Sequence, residues 1–437
     1  MSFMLLGILN AQAAGGAPII PLIYSLRTLG GTGADEGNSL VIDSSGNVYA
    51  LGSTSSAGAG GNELFLAKYN PTGVIEWQRT LGGTGAEFGM SVRLDSSEDV
   101  YVVGDTTSAG VGGRNFLIAK YNSSGVIQWQ RVLAGADYQD CEMGVDSSDN
   151  VYLAGTTSSA GAGFVDVFIA KYNSSGTIQW QRTLGGSSYD YGFTIGVDSS
   201  SNIYIGGITY TGSKFALLFT KYNSSGTIQF QRTLTDTASI EIYGLAVDSS
   251  NNIYLSGFTT DGNQSPVLYK YNSSGTIQWQ RMLSTGINSR HHGVVADSVG
   301  NVYVSGFYTS TYIFAKYNSS GTIQWQRTLT TANGGQFSNE ISVDSSDNLY
   351  VLGSTSSAGE GSRDFLLAVI PSDGSLTGTY VLDGFDMVYS ASTFTASTRS
   401  ASSATSGLTS STASLTAGTS TLTDASASLI THAVEIV

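Results

Sequence analysis

Cysteine and histidine are nearly missing from this sequence, and charge is sparse. Cys141 is the single cysteine in 437 residues, which excludes an intrachain disulfide and a cysteine-built metal cluster. Three histidines are too few for a zinc enzyme of the usual type, and neither a metal nor another cofactor is expected. Only 12% of residues are charged and the balance is a formal −14. That surface repels phosphate backbones and argues against nucleic acid as a partner. No run reaches the roughly 20 apolar residues that span a bilayer, so no membrane span is expected either.

Glycine, serine and threonine are abundant, with 24 Tyr, 17 Phe and five Trp to build a core. The chain is therefore a folded one. Its organisation comes from a unit of about fifty residues that recurs between Tyr24 and Leu382. Seven times the sequence writes a variant of V-D-S-S-x-N-V-Y-V-x-G, with Asp43, Asp95, Asp146, Asp198, Asp248, Asp297 and Asp344 as its aspartates. Six times it writes K-Y-N-x-x-G-x-I-x-W-Q-R-x-L, and a decayed seventh copy stands at Ala368–Gly374.

Within the second unit, Met90–Leu94, Val100–Gly104, Phe116–Tyr121 and Val126–Leu133 are short apolar or alternating segments parted by turn residues. Those are the signals of four strands, with no room for a helix. Seven such units predict an all-β fold, a seven-bladed β-propeller of four-stranded antiparallel blades. Tyr24–Leu29 reads as a fourth strand without its first three, so it is expected to complete the seventh blade. The unit resembles the bacterial propeller repeat family SBBP, on copies of the form VDSSGNVYVxGxT and FLAKYNSSG. That resemblance implies the fold and says little about activity.

Most conserved-looking features of the unit are scaffold. The repeated Asp is read as a turn cap rather than a calcium ligand, and the Asn-Ser-Ser tripeptides as hairpin turns rather than glycosylation sites. Trp77, Trp129, Trp180, Trp279 and Trp325, with Phe230 in the remaining copy, hold one fixed position and are read as packing residues. Six repeat lysines and seven repeat arginines take up most of the 19 basic residues.

Function is expected where copies disagree. Counting back from each Asp, positions −1 and −3 are apolar and read as core, whereas −2 and −4 are small or polar and read as channel lining. Arg93, Glu142 and Glu340 are the charges there. Paired carboxylates suit glycoside cleavage, but Glu142 and Glu340 fall on the third and seventh blades, and a charge-balanced lining is preferred. The loops of one face are uniform and those of the other vary. The variable face carries Tyr138, Tyr189, Tyr191, Tyr210, Arg290, His291, His292, Tyr308, Tyr312 and Phe337, a mixture suited to a sugar or to a protein neighbour.

Three segments follow: residues 1–21 as an apolar anchor, 22–382 as the propeller, and 383–437 as a Ser/Thr/Ala-rich tail. The anchor lacks Lys and Arg, so burial in an assembly is preferred to a secretion signal. In the tail Leu408, Leu415, Leu422 and Leu429 recur every seven residues, read as a self-association seam, helical or extended, that makes a trimer. The start, Phe3-Met-Leu-Leu-Gly-Ile-Leu-Asn-Ala-Gln-Ala-Ala-Gly-Gly16, and the Leu-Thr-Asp-Ala-Ser heptads are similar to structural proteins of tailed bacteriophages. This resemblance implies a non-enzymatic virion component, a fibre, spike or decoration that contacts other virion proteins through residues 1–21 and whose propeller binds host surface glycan or a neighbouring virion protein. The rivals are a secreted bacterial adhesion propeller and, less favoured, a polysaccharide-degrading enzyme.

Overall fold

The structure is a computed structural model that describes residues 25–435, apart from 59, 111–112, 135–140, 261–262, 285–287, 309–310, 332–335, 357–360, 376, 383–384, 393, 399–401, 406–408, 413–415, 420–422 and 427–429. Seven antiparallel sheets form the blades of a propeller. In the first blade the strands are Asp35–Ile42, Val48–Thr54, Glu63–Tyr69 and Ile75–Gly82, from the channel outward. The inner strands of successive blades pack on one another, and Asp35–Ile42 packs on Gln336–Val343 of the seventh blade, closing the circle. Ser25–Gly30 pairs with Asp364–Ile370 as the fourth strand of that blade. Seven apolar clusters lie between neighbouring blades; one joins Tyr49, Leu51 and Leu66 to Val92, Val102 and Leu117. No helix among the described residues is long and apolar enough to cross a membrane.

The repeat makes each turn and also locks it to the next blade. Asp146 Oδ1 accepts from the backbone N–H groups of Ser148 and Asn150 at 2.9 and 3.0 Å, and its Oδ2 accepts from Asn150 Nδ2 and Tyr152 Oη. This bonding lets the residue three after the Asp take a left-handed conformation, at Asp149 with φ 60°. On the same face Trp129 Nε1 donates to Ser174 O at 3.2 Å and Arg131 Nε to Gly176 O at 3.1 Å. Gly176 has φ 73°, and a Cβ there would come within 2.9 Å of the Trp129 ring. The Asn-Ser-Ser-Gly turn of one blade is thus seated on the Trp and Arg of the blade before it.

The expectation of a tail that leaves the ring is corrected by the strand pairing. Phe385–Ala391 adds to the outer edge of the sixth blade. After it, strands begin at Thr395, Ser402, Thr409, Thr416, Thr423 and Ile430, and pair in turn with the fifth, fourth, third, second, first and seventh blades. The repeat arginines mark the register: Arg327, Arg281, Arg232, Arg182, Arg131, Arg79 and Arg27 stand opposite residues 391, 398, 405, 412, 419, 426 and 433. The seven-residue period is the step from one blade to the next, and the described strands from Phe385–Ala391 to Ile430–Glu435 form a belt around the ring. An uncovered fourth strand would be an open edge able to recruit another chain, so the belt uses each edge within the molecule. Gly378–Leu382 pairs with Phe385–Ala391 as a hairpin. Leu408, Leu415, Leu422 and Leu429, like residues 1–21, lie outside the described residues.

Candidate functional site

A bulge in the inner strands builds the mouth of the channel. In six blades the strand register slips at the fifth residue before the repeat Asp, at Asn38, Met90, Phe193, Tyr243, His292 and Asn339. A bulged residue is re-aimed out of the strand's alternation. Five of these, with Cys141 at the matching place in the third blade, line a cavity of about 430 Å³ together with Glu36, Phe88, Arg114, Glu142 and Glu340. The inner strands begin on the face with variable loops, so the cavity opens there.

The fourth, fifth and sixth blades give this mouth an aromatic wall. Phe193 and Tyr243 stack with centroids 5.2 Å apart and planes within 17°, and Tyr243 and His292 at 5.0 Å within 5°. The stack continues outward through Tyr191 at 5.7 Å from Phe193, then Tyr189, then Phe164 at 5.3 Å. Phe164 is 66% exposed and Tyr189 37%, whereas the three rings at the channel are half-buried. Phe307, on the second strand of the sixth blade, meets His292 at 5.2 Å. The Tyr243 hydroxyl donates to Glu241 at 2.9 Å, which fixes the ring.

The opposite side holds the charges. Arg93 Nη2 binds Glu142 Oε1 at 2.7 Å, and the Ile195 N–H donates to Glu142 Oε2 at 3.0 Å. Ser39 Oγ accepts from Arg93 Nη1 and faces Glu340 Oε2, both at 3.4 Å. The three charges expected to line the channel are gathered on one chain of contacts through Ser39. Burial raises both carboxyls above the usual carboxylate range. For Glu142 the pull of Arg93 opposes it. Glu340 is pushed up to about 7, because burial, aided by the Glu142 charge, outweighs the attraction of Arg93. Arg114 is ion-paired to Asp105 at 2.6 Å and lies over the Phe88 ring, and Arg363 is ion-paired to Glu36.

The residues expected on the variable face divide. Tyr189, Tyr191 and His292 belong to the aromatic row. Arg290 lies nearby, its Nε donating to Gln264 Oε1 at 2.7 Å and its guanidinium 4.7 Å from the Phe258 ring. Tyr210 is half-buried against Phe215, and Tyr308 against Phe394. Two expectations are corrected. His291 is 1% exposed: it stands one place before the bulge, where Gly37, Gly89 and Gly192 approach the preceding blade so closely that a Cβ would meet atoms at 2.5–2.8 Å. Tyr312 is also 1% exposed, donating its hydroxyl to Ser354 O at 3.0 Å inside the sixth and seventh blades. Neither is open to a ligand. Tyr138 lies outside the described residues, as does the side chain of Phe337.

Sequence reasoning missed Phe164, Phe193 and Tyr243, as well as Glu36, Phe88 and Arg114. Strict alternation stops at position −4, but the bulge turns −4 and −5 both inward. The signal was present in the −5 column itself, which reads Asn38, Met90, Cys141, Phe193, Tyr243, His292 and Asn339 with no common size or polarity. Among the described residues no group of three or more His, Cys, Asp or Glu is placed to hold a metal ion.

The family model of the beta-propeller repeat SBBP matches residues 23–58. An uncharacterized WD repeat-containing protein of Acanthamoeba polyphaga mimivirus is 22% identical over 178 residues, which is 35% of this chain and 11% of that protein. The chain therefore spans about a tenth of that relative's length. Among solved structures, the polysaccharide lyase Uly1 is similar over 84% of this chain and 94% of its own, at 12% identity and a TM-score of 0.47. The α-L-arabinofuranosidase Arb93A of Fusarium graminearum is similar over 64% of this chain and 91% of its own, at 8% identity and a TM-score of 0.41. These likenesses are of fold alone.

Proposed function

We propose that this protein is a non-enzymatic glycan-binding propeller displayed on a tailed-bacteriophage particle, as part of a fibre, spike or decoration. The observation that carries glycan binding is the row of stacked rings from Phe164 and Tyr189 to Phe193, Tyr243 and His292. Sugar C–H faces stack on such rings while carboxylates and guanidinium groups at the edge take the hydroxyls. The particle setting rests on the resemblance of the two ends to phage structural proteins, with residues 1–21 as the contact to other virion proteins. In a screen of immobilised glycans the full chain binds at least one class of oligosaccharide in this reading. Retention of none across a broad panel would remove it.

A second reading, polysaccharide cleavage in the channel, is favoured by the approach of Glu142 and Glu340 to Arg93. Binding without cleavage is preferred on chemistry. Both Glu142 oxygens are engaged, by Arg93 and by the Ile195 N–H, and Glu36 is paired to Arg363, which leaves Glu340 as the acid without an ion pair among the described lining residues, where glycoside hydrolysis ordinarily uses two. If the chain depolymerises a bound polysaccharide, and Glu340→Gln and Glu142→Gln each stop it, the enzymatic reading replaces this one.

A further inference from the structure

Resting on the glycan-binding reading, we infer that the sugar unit reaching the channel mouth carries a free amine, so that the ligand class is a polysaccharide of unacetylated amino sugars. The cavity is asymmetric. On one side stand the faces of Phe193, Tyr243 and His292, and aromatic faces attract cations as well as C–H groups. On the other side stand the carboxyls of Glu36, Glu142 and Glu340.

Three nearby cations are already ion-paired, two of them to carboxyls of the cavity itself. Arg93 is ion-paired to Glu142, Arg114 to Asp105 and Arg363 to Glu36. Glu340 makes no ion pair among the described residues and receives a single long contact from the Ser39 hydroxyl. Arg93 attracts Glu340 without pairing to it and burial outweighs that pull, so the charged carboxylate is costly to hold and an arriving ammonium supplies the direct partner it lacks. A uronate or sulfate at the same place would find no uncommitted cation among Arg93, Arg114 and Arg363 and would face an aromatic wall that favours cations. A neutral sugar would stack there but leave Glu340 unmatched.

Because Glu340 is held near 7, it is mostly protonated in the free protein at about pH 6, and a seated ammonium drives that proton off. The O–H bond of the carboxyl breaks, the proton goes to buffer, and the carboxylate pairs with the ammonium.

Calorimetric titration of the full chain at about pH 6 compares three tetramers: β-1,4-linked glucosamine, its N-acetylated form, and galacturonate. The glucosamine tetramer is expected to bind about tenfold more tightly than the acetylated one, the equivalent of one charge-assisted contact. Buffers of different ionisation enthalpy should read release of up to one proton. Glu340→Gln should abolish both the preference and the release, while the wild-type proton count tests the same point without any substitution. Equal or tighter binding of the acetylated or galacturonate tetramer, or glucosamine binding without proton release, overturns the inference and leaves glycan binding standing. Failure of all three to bind also overturns it, and the broader glycan screen then decides the reading beneath it.

Discussion

A chain ended after Ser375 should associate into large, polydisperse species, whereas the full chain sediments as one small species. The truncation removes the hairpin and every belt strand from Phe385 to Glu435, leaving the fourth strand of each blade as an open edge. Thermal stability should change much less than association. Each backbone bond in the belt contributes about 1 kcal/mol net, and fixing each residue costs on the order of 1–2 kcal/mol, so the two nearly cancel. An edge has no such compensation once it is bare, because any extended segment of a second molecule can pair with it. Sedimentation velocity over a range of concentrations reads the outcome. A tail whose purpose was to join copies would give the opposite result, with the full chain oligomeric and the truncated ring monomeric.

The second large effect concerns acid. Burial first, then the neighbouring charge of His292, lowers His291 from its ordinary value near 6.5 to about 3. Burial first, then Arg290, lowers His292 to about 4. A depressed folded-state value means that the unfolded chain binds the proton more readily. The stabilisation is therefore complete above about pH 6.5 and is lost as pH falls toward 3. At about 1.4 kcal/mol per unit, His291 alone accounts for roughly 2–3 kcal/mol of unfolding free energy lost between pH 6.5 and 4.5. Glu340 opposes this by a similar amount, since its raised value gives stability that is full near pH 4.5 and lost as pH rises through about 7, but it does so equally in the wild type and in His291→Gln. Denaturant unfolding of the wild type and His291→Gln at both pH values should show the wild type losing more by that amount. Equal losses would mean that His291 is charged in the fold or in contact with water.

The ring was legible because every blade needs the same residues at the same places. The Asp turn and the Trp and Arg that seat the next turn repeat for local physical reasons, and Tyr24–Leu29 could be recognised as the missing closing strand. The belt was not legible in the same way. Its five middle strands are four residues each, mostly Ser, Thr and Ala, too short and too polar for an apolar alternation to declare a strand. A seven-residue period serves a coiled coil and a blade-to-blade step equally well. The site was half legible. Tyr189, Tyr191 and His292 drew notice as loop residues with aromatic rings, but Phe193 and Tyr243 sit in a strand column that alternation hides. His291 and Tyr312 were misassigned for the converse reason, since the bulge and the tight sixth-blade hairpin turn them into the core.

The stacked wall is the centre of the functional account, and its most direct test is a titration of wild type, Phe193→Ala, Tyr243→Ala and Tyr210→Ala with the best oligosaccharide from the glycan screen. Base-free ring stacking and the loss of an aromatic face in a half-buried site together cost on the order of 1–3 kcal/mol per ring. Phe193→Ala and Tyr243→Ala should each weaken binding about ten- to a hundredfold, with unfolding midpoints close to wild type. Tyr210→Ala, away from the cavity, should bind as wild type does. Undiminished binding by both wall variants, or a loss confined to Tyr210→Ala, would contradict the account and move the ligand away from the channel mouth.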